Sequence, residues 1–300
     1  MNVGSRRCIL NPVSGTGDHA QWVTRLLEAR GFDVVETSGP EDAVRLAMEA
    51  GFDDVSELAV CGGDGTVNEA LRGLAAAEHV EDVTLSVIPA GTANLLAENV
   101  GIQDIQDGIE VADTGDVRRV DIGMADEQPF VVSCIAGLPA DASVSTGGDL
   151  KERFGTLAFL LTGAQEAIQF DGLTVTLEDR QDGVTEAWSG EALCVLIGNA
   201  RKFVEKGGQA NMEDGLFDVA VVEEMPPQNL VAEGVAHRLL GQQTQGVEHF
   251  QTDELRISSD DGPITFSRDG EVTTHEELLL FAEPHSLDLR VGADYVADPD

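Results

Sequence analysis

Three hundred residues allow one large domain or two ordinary ones, and a 42% hydrophobic content is enough to bury a core. Against 18 basic residues stand 55 acidic ones, a formal charge of −37, so there is no basic stripe to neutralise nucleic-acid phosphates. A folded, acidic chain whose only lysines are Lys151, Lys202 and Lys206 suits concentrated salt, where self-repulsion is screened within about 3 Å at 1 M. The first hundred residues alternate. "RRCIL" reads as a buried strand, followed by the loop "NPVSGTG" and an amphipathic helix from about Asp18 to Arg30. "FDVVET" is the next strand, and "PEDAVRLAMEAG" a helix with Pro40 near its start and Gly51 at its end. "ELAVC" leads through glycines into a helix starting near Thr66, and "TLSVIP" into the short helix "TANLLAENVG". Strand and helix in strict turn imply a parallel sheet covered on both faces.

From Arg118 onward strands dominate: "RRVDIGMA", "PFVVSCIAG", "LTVTLED", "EALCVLIGN", "LFDVAVVEE", "ELRISS", "ITFSR", "EELLLFA" and "SLDLRVG". Two helices interrupt them, near Glu152–Gln169 and Gln228–Leu240. The expected fold class is therefore a Rossmann-like parallel α/β nucleotide domain, residues 1–122, then a mostly antiparallel β-sandwich-like domain, residues 123–289. The last residues, about 290–300, are expected to pack back on the first domain. Cys8, Cys61, Cys134 and Cys194 lie far apart in apolar runs with no CxxC pair, so buried free thiols are expected. "MNVGSRRCILNP" has no long apolar region and nothing approaches 18 consecutive apolar residues, so the expectation is a cytoplasmic protein without a transmembrane segment.

Three strand-to-helix corners carry polar, glycine-bearing loops: "NPVSG" (Asn11–Gly15), "CGGDGTVNEAL" (Cys61–Leu71) and "PAGTAN" (Pro89–Asn94). In an open parallel sheet, ligands sit beyond the carboxyl ends of the strands, and the amides and dipole of a helix start suit a phosphate. A bare glycine turn with Asp64 as helix cap is the plainer reading of one corner; three on one edge favour a site. No P-loop motif and no lysine occurs there, so phosphate charge falls to backbone amides and a cation such as Mg²⁺, with Asp64 as its organising carboxylate. "GTGDHA" with Glu36 further on also fits a dinucleotide fingerprint, but "NPVS" separates its first glycine from the strand. By spacing alone, Asp214-Gly215 and Asp269-Gly270 are turns and Asp121 in "VDIG" is a surface acid at a strand end. The six histidines show no metal-ligand spacing.

In order along nearly the whole chain, "NPVSG", "CGGDGTVNEAL", "IPAGTAN", "VDIG", "KERFGTLAFLLTG", "VLIGNA", "EDGLFDVAVV" and "SRDGE" resemble the diacylglycerol kinase catalytic-domain family, with its sphingosine- and ceramide-kinase members. The GGDGT core is shared with NAD kinases. The resemblance implies ATP-dependent phosphorylation of a lipid hydroxyl, with a nucleotide domain, a β-sandwich-like domain and the active cleft between them. ATP would be contacted by Asn11, Pro12, Ser14, Gly15, Thr37, Gly62, Gly63, Asp64, Gly65, Thr66, Asn68, Glu69, Thr92 and Asn94. Asp64 would lie in the Mg²⁺–water network with Asp121 nearby, Glu271 would be the base facing the lipid hydroxyl, and Asn211, Asp214 and the Leu216 carbonyl would hold a structural Mg²⁺. Many bacterial members have an acid where this chain has Leu95, and a basic residue where it has Glu98. The acidity resembles that of halophilic archaeal proteins, for which a dialkylglycerol is as natural an acceptor as diacylglycerol. The implied partner is lipid at a membrane surface, with the protein peripheral at most; a homodimer is left open. The alternatives are a NAD kinase and a nucleotide-binding regulatory protein.

Overall fold

The structure, a computed structural model, describes residues 5–137, 173–179, 185–200, 210–223 and 247–297. The helices expected near 152–169 and 228–240 lie outside these residues. The chain divides into two compact units, Met1–Ile122 with Pro284–Ala297, and Gly123–Glu283 with Asp298–Asp300.

In unit 1 the alternation of the sequence is realised as β1 (Ser5–Leu10), α1 (Ala20–Glu28), β2 (Phe32–Glu36), α2 (Asp42–Phe52), β3 (Val55–Gly62), α3 (Asp64–Ala76), β4 (Thr84–Pro89), α4 (Leu95–Asn99) and α5 (Ile105–Thr114). The sheet runs β4-β3-β1-β2, all parallel, because apolar runs such as Cys8-Ile9-Leu10 are buried on both faces. α1 turns Val23 and Leu27, one turn apart, onto a core that also holds Leu10, Cys61 and Ile88. α5 has no counterpart in the sequence reading. Its signal is a reciprocal cap: Asp104 Oδ1 accepts from Asp107 N at 2.9 Å, and Asp107 Oδ2 from Gln103 N at 3.0 Å.

At the amino end of β1, Arg6 gathers acids and helix-end carbonyls. Its guanidinium meets Glu57 at 3.1 Å and Asp113 at 2.9 Å, donates to the Ala112 carbonyl at 2.8 Å, and lies 4.0 Å from the Phe32 ring centroid. A cation among the last carbonyls of α5 also meets the negative end of that helix's dipole.

Unit 2 is built from β6 (Gln128–Phe130), β7 (Ser133–Gly137), β8 (Leu173–Asp179), β9 (Thr185–Gly198), β10 (Phe217–Glu223), β11 (Val247–Thr252), β12 (Glu254–Ser258), β13 (Ile264–Arg268) and β14 (Glu271–His275). Two strands, β5 (Asp116–Ala125) and β15 (Glu277–Val291), carry residues of both units. Among the described residues the strand pairs of unit 2 are antiparallel, whereas the last residues of β15 join unit 1 in parallel with β4 through Asp288 and Leu289. The inward positions close on one core, in which Phe130 and Phe217 stack at 5.6 Å. Two strand readings need correction. "PFVVSCIAG" breaks between β6 and β7, because the amides of Val131, Val132 and Ser133 are drawn to the Asp269 carboxylate. "EELLLFA" and "SLDLRVG" are one strand, continued through Pro284 and a left-handed His285 at φ +52°.

All four cysteines are buried free thiols; burial pushes Cys61, Cys134 and Cys194 up to about 12 and Cys8 well above its usual value. Among the described residues no helix is long and apolar enough to cross a membrane.

The chain's 18 cations cannot pair its 55 acids. In dilute buffer, with a Debye length of about 30 Å at 0.01 M, the excess acids repel one another across the surface. The melting temperature is therefore expected to rise steadily between about 0.1 and 3 M KCl, as screening removes that repulsion. A flat or falling thermal profile would reject the idea that this charge balance is adapted to salt.

Candidate active site

The three polar corners of unit 1 are tied directly to one another. Asn11 N donates to the Cys61 carbonyl at 2.8 Å, and Asn11 Nδ2 to Thr66 Oγ1 at 3.0 Å, joining the end of β1 to the start of α3. Ala90 N donates to the Gly62 carbonyl at 2.8 Å, joining the end of β4 to the same corner. Ser14 Oγ donates back to the Asn11 carbonyl at 2.9 Å and closes the first loop; Pro12 sits within it. His19 is buried with Nε2 3.2 Å from that same carbonyl, so this nitrogen carries the proton. Thr37 N reaches the Leu10 carbonyl at 2.9 Å and places the end of β2 beside β1.

The glycines answer two different needs. Gly15 has φ +58°, and a Cβ there would stand 2.5 Å from the Ala90 carbonyl oxygen. Gly63 has an ordinary φ, yet its Cβ would press on Gly91 at 3.2 Å; close approach of two loops, not a left-handed backbone, selects glycine here. Gly65 faces open space.

α3 starts at Asp64, two residues before the expected Thr66, and its cap residue Gly63 offers no side-chain acceptor to the first amides. Asp64 caps a different helix. Its Oδ1 accepts from Leu96 N at 3.2 Å, and the amides of Asn94 and Leu95 also favour its charge. Burial is the larger influence and raises its carboxyl above the usual range. Glu69 is turned toward α2, where it accepts from Ala43 N at 3.3 Å; burial, opposed by amides at that helix start, raises its carboxyl too. Asn94, left-handed at φ +55°, both accepts from Gly91 N and donates to the Gly91 carbonyl at 2.9 Å, locking its own loop beside the exposed Thr92. Asn68 is buried, and its Nδ2 has no hydrogen-bond partner among the described residues.

Asp121 is no surface acid. It lies within β5 at 0% exposure, accepts from His285 N at 2.7 Å, and has the His285 Nδ1 3.6 Å away. The sequence reading missed this because the partner lies more than 160 residues downstream, at a left-handed position normally read as a turn.

In unit 2, Asp269 and Gly270 form the turn between β13 and β14 with φ +43° and +89°, the signature of a tight hairpin. Asp269 also accepts from the amides of Val131, Val132 and Ser133 at 2.8, 3.0 and 2.9 Å. Glu271 Oε2 accepts from Arg268 at 3.0 Å. At the other acidic turn, Asp214 Oδ1 accepts from Leu216 N at 3.0 Å and Asn211 Oδ1 from Glu213 N at 2.9 Å. Burial, with the nearby charge of Asp214 added, pushes the Asp218 carboxyl up to about 6. Among the described residues no group of three or more His, Cys, Asp and Glu is placed to hold a metal.

Unit 1 is thus a parallel α/β unit with tied, glycine-bearing corners, and unit 2 an antiparallel β unit with two acidic turns. Residues 6–125 match the diacylglycerol kinase catalytic domain, and residues 132–291 match the YegS C-terminal NAD kinase beta sandwich-like domain. The chain is 31% identical over 269 residues to a "Probable lipid kinase YegS-like" of Pseudomonas putida, covering 87% of this chain and 85% of that protein. It is 29% identical over 228 residues to the diacylglycerol kinase of Bacillus subtilis, covering 73% of each. In fold it is similar to the crystal structure of a diacylglycerol kinase from Bacillus anthracis, with a TM-score of 0.76 at 20% identity, over 99% of this chain and 100% of that one. The chain belongs to the diacylglycerol kinase family of lipid kinases.

Proposed function

We propose that the chain transfers the γ-phosphate of ATP to a lipid hydroxyl, with a diacylglycerol-like or dialkylglycerol-like acceptor. One observation carries the assignment of the nucleotide to unit 1: α3 opens without a side-chain cap at the sheet edge where β1, β3 and β4 end and their loops are tied together. An uncapped helix start presents amides and a positive dipole end to phosphate oxygens. Gly65, with open space where a Cβ would stand, leaves room for such an approach, and Asn68 Nδ2, without a partner among the described residues, is a donor held in the same helix.

Mg²⁺ suits this arrangement as an ion brought by the nucleotide, since it binds through one or two carboxylates plus substrate phosphates. Asp64 is the carboxylate of that corner and Asp121 the further acid of unit 1; bound there, the ion would offset charge on the transferred phosphoryl group. Unit 2 supplies Glu271 to accept the proton of the lipid hydroxyl. The hydroxyl oxygen bonds to the γ-phosphorus, the bond to the β–γ bridging oxygen breaks, and ADP leaves.

Asn211, Asp214 and the Leu216 carbonyl form the candidate set for a second, structural Mg²⁺, an all-oxygen set of the kind that ion prefers. If it binds there, Mg²⁺ is expected to raise the melting temperature of the wild type by a few degrees through mass action, and to leave Asp214→Asn unmoved. Equal gains in both proteins would remove the ion from this turn.

The test of the reaction is labelled ATP and Mg²⁺ in high salt, offered separately to diacylglycerol, dialkylglycerol, a sphingoid base, a polyprenol and NAD. Label in one of the lipids is expected. Label in NAD alone would favour the reading that the beta sandwich match keeps in view, a NAD kinase. ATP binding without turnover on any acceptor would make the chain a regulatory protein.

A further inference from the structure

We propose that Arg268 is a positioning residue for the lipid-phosphorylation step, fixing the carboxylate of Glu271; this rests on reading Glu271 as the base. The two-residue period of β13 places Ile264, Phe266 and Arg268 on one face, and Ile264 and Phe266 belong to the core of unit 2. The third inward position thus calls for an apolar side chain and holds an arginine at 4% exposure. A buried guanidinium is costly unless paired, and this one comes from a chain with 18 cations in 300 residues.

Its pairing is specific. Arg268 and Glu271 are cross-strand register partners on β13 and β14, with the guanidinium 3.0 Å from Glu271 Oε2. Arg268 Nε has no hydrogen-bond partner among the described residues, so that nitrogen adds no structural bond to the pair. The turn does not need the pair either: Asp269 secures it through three amides of Val131–Ser133. The hairpin therefore divides two acids flanking Gly270 between two tasks, Asp269 holding the fold and Glu271 being held.

A glutamate at a strand end has three side-chain torsions to fix before it can meet a hydroxyl. A guanidinium immobilised in the core and bonded to one oxygen narrows the orientations open to the carboxylate, the form of positioning on which a proton transfer depends. The accepted proton passes to water, since the Glu271 side chain remains 36% exposed.

The test is a double-mutant cycle of Arg268→Met with Glu271→Gln, and Arg268→Lys beside it, in the acceptor assay above with diacylglycerol or, where the panel selects it, dialkylglycerol. Met suits the apolar row of β13, so the melting temperature is expected to hold or rise while kcat falls about tenfold with the KM for ATP unchanged. Lys, a cation without the planar fork, is expected to retain an intermediate kcat. On the Glu271→Gln background, Arg268→Met is expected to cost nothing further. The proposal is overturned by a wild-type kcat in Arg268→Met, or by the same loss with and without Glu271, either of which leaves the base itself standing. Wild-type turnover in Glu271→Gln alone overturns both. Should Met abolish the melting transition, Arg268→Lys takes its place in the cycle: a loss of kcat that vanishes on the Glu271→Gln background supports the proposal, and one that persists there overturns it.

Discussion

Replacing Asp64 by asparagine is expected to lower kcat a hundredfold or more while the protein stays folded. An asparagine Oδ1 still accepts from Leu96 N, so the tie between the α3 corner and the start of α4 survives. What disappears is one negative charge beside the place where phosphate and Mg²⁺ are proposed to meet. Loss of such a charge removes transition-state stabilisation of about 3 kcal/mol or more, each 1.36 kcal/mol being a factor of ten. Asp64→Ala separates the two roles of the residue. It removes charge and cap together, and cap loss costs about 1 kcal/mol of stability. The expected pattern is therefore equal loss of kcat in both variants at saturating Mg²⁺, with a lower melting temperature in the alanine variant alone. Near wild-type turnover in Asp64→Asn would remove this carboxylate from the chemistry and leave it a helix cap.

This double duty explains what was and was not legible in the sequence. The strand–loop–helix rhythm through Glu36, Cys61 and Pro89 was readable because apolar runs and glycine corners are local signals, and the parallel sheet follows from them. Which helix an acid caps is not local. Asp64 serves α4 and Glu69 serves α2, partners 32 and 26 residues away, although both stand in the first turns of α3, where the family resemblance places them in the ATP site. Asp121 carries the same lesson more strongly. An aspartate in a strand reads as an outward residue, and a partner as distant as the His285 backbone helps to make its burial tolerable. A further signal present in the sequence was the alternation of "ITFSR": following Ile264 and Phe266 inward by twos lands on Arg268, a buried charge that must have a partner.

The ties among the corners also bear on how far a substitution reaches. Asn11 links β1 to α3 through Thr66, and Gly63 and Gly91 are in direct backbone approach. A side chain added at Gly91 would overlap the Gly63 backbone and displace both loops, whereas one at Gly63 would need only a small shift of Gly91. By contrast the acids of unit 2 are separable, because Asp269 and Glu271 have different partners on different strands.

That separability makes Glu271→Gln the clean test of the second unit's role. Glutamine is nearly the same size as glutamate, its Oε1 can still accept from Arg268, and the Asp269 turn is untouched. If Glu271 belongs only to the hairpin, activity should change little. If it is the base, the lipid hydroxyl loses its proton acceptor, and loss of a general base costs about 10² to 10⁴ in rate. In a loose phosphoryl-transfer transition state that proton moves late, so the lower part of this range is the more natural expectation. The Kd for ATP should stay where it is, since the corners assigned to the nucleotide belong to unit 1 and Glu271 to unit 2. The expected result is a collapsed kcat with unchanged nucleotide affinity and melting temperature. A retained kcat returns Glu271 to the hairpin. A collapse of kcat with intact binding leaves proton acceptance as the function the residue has lost.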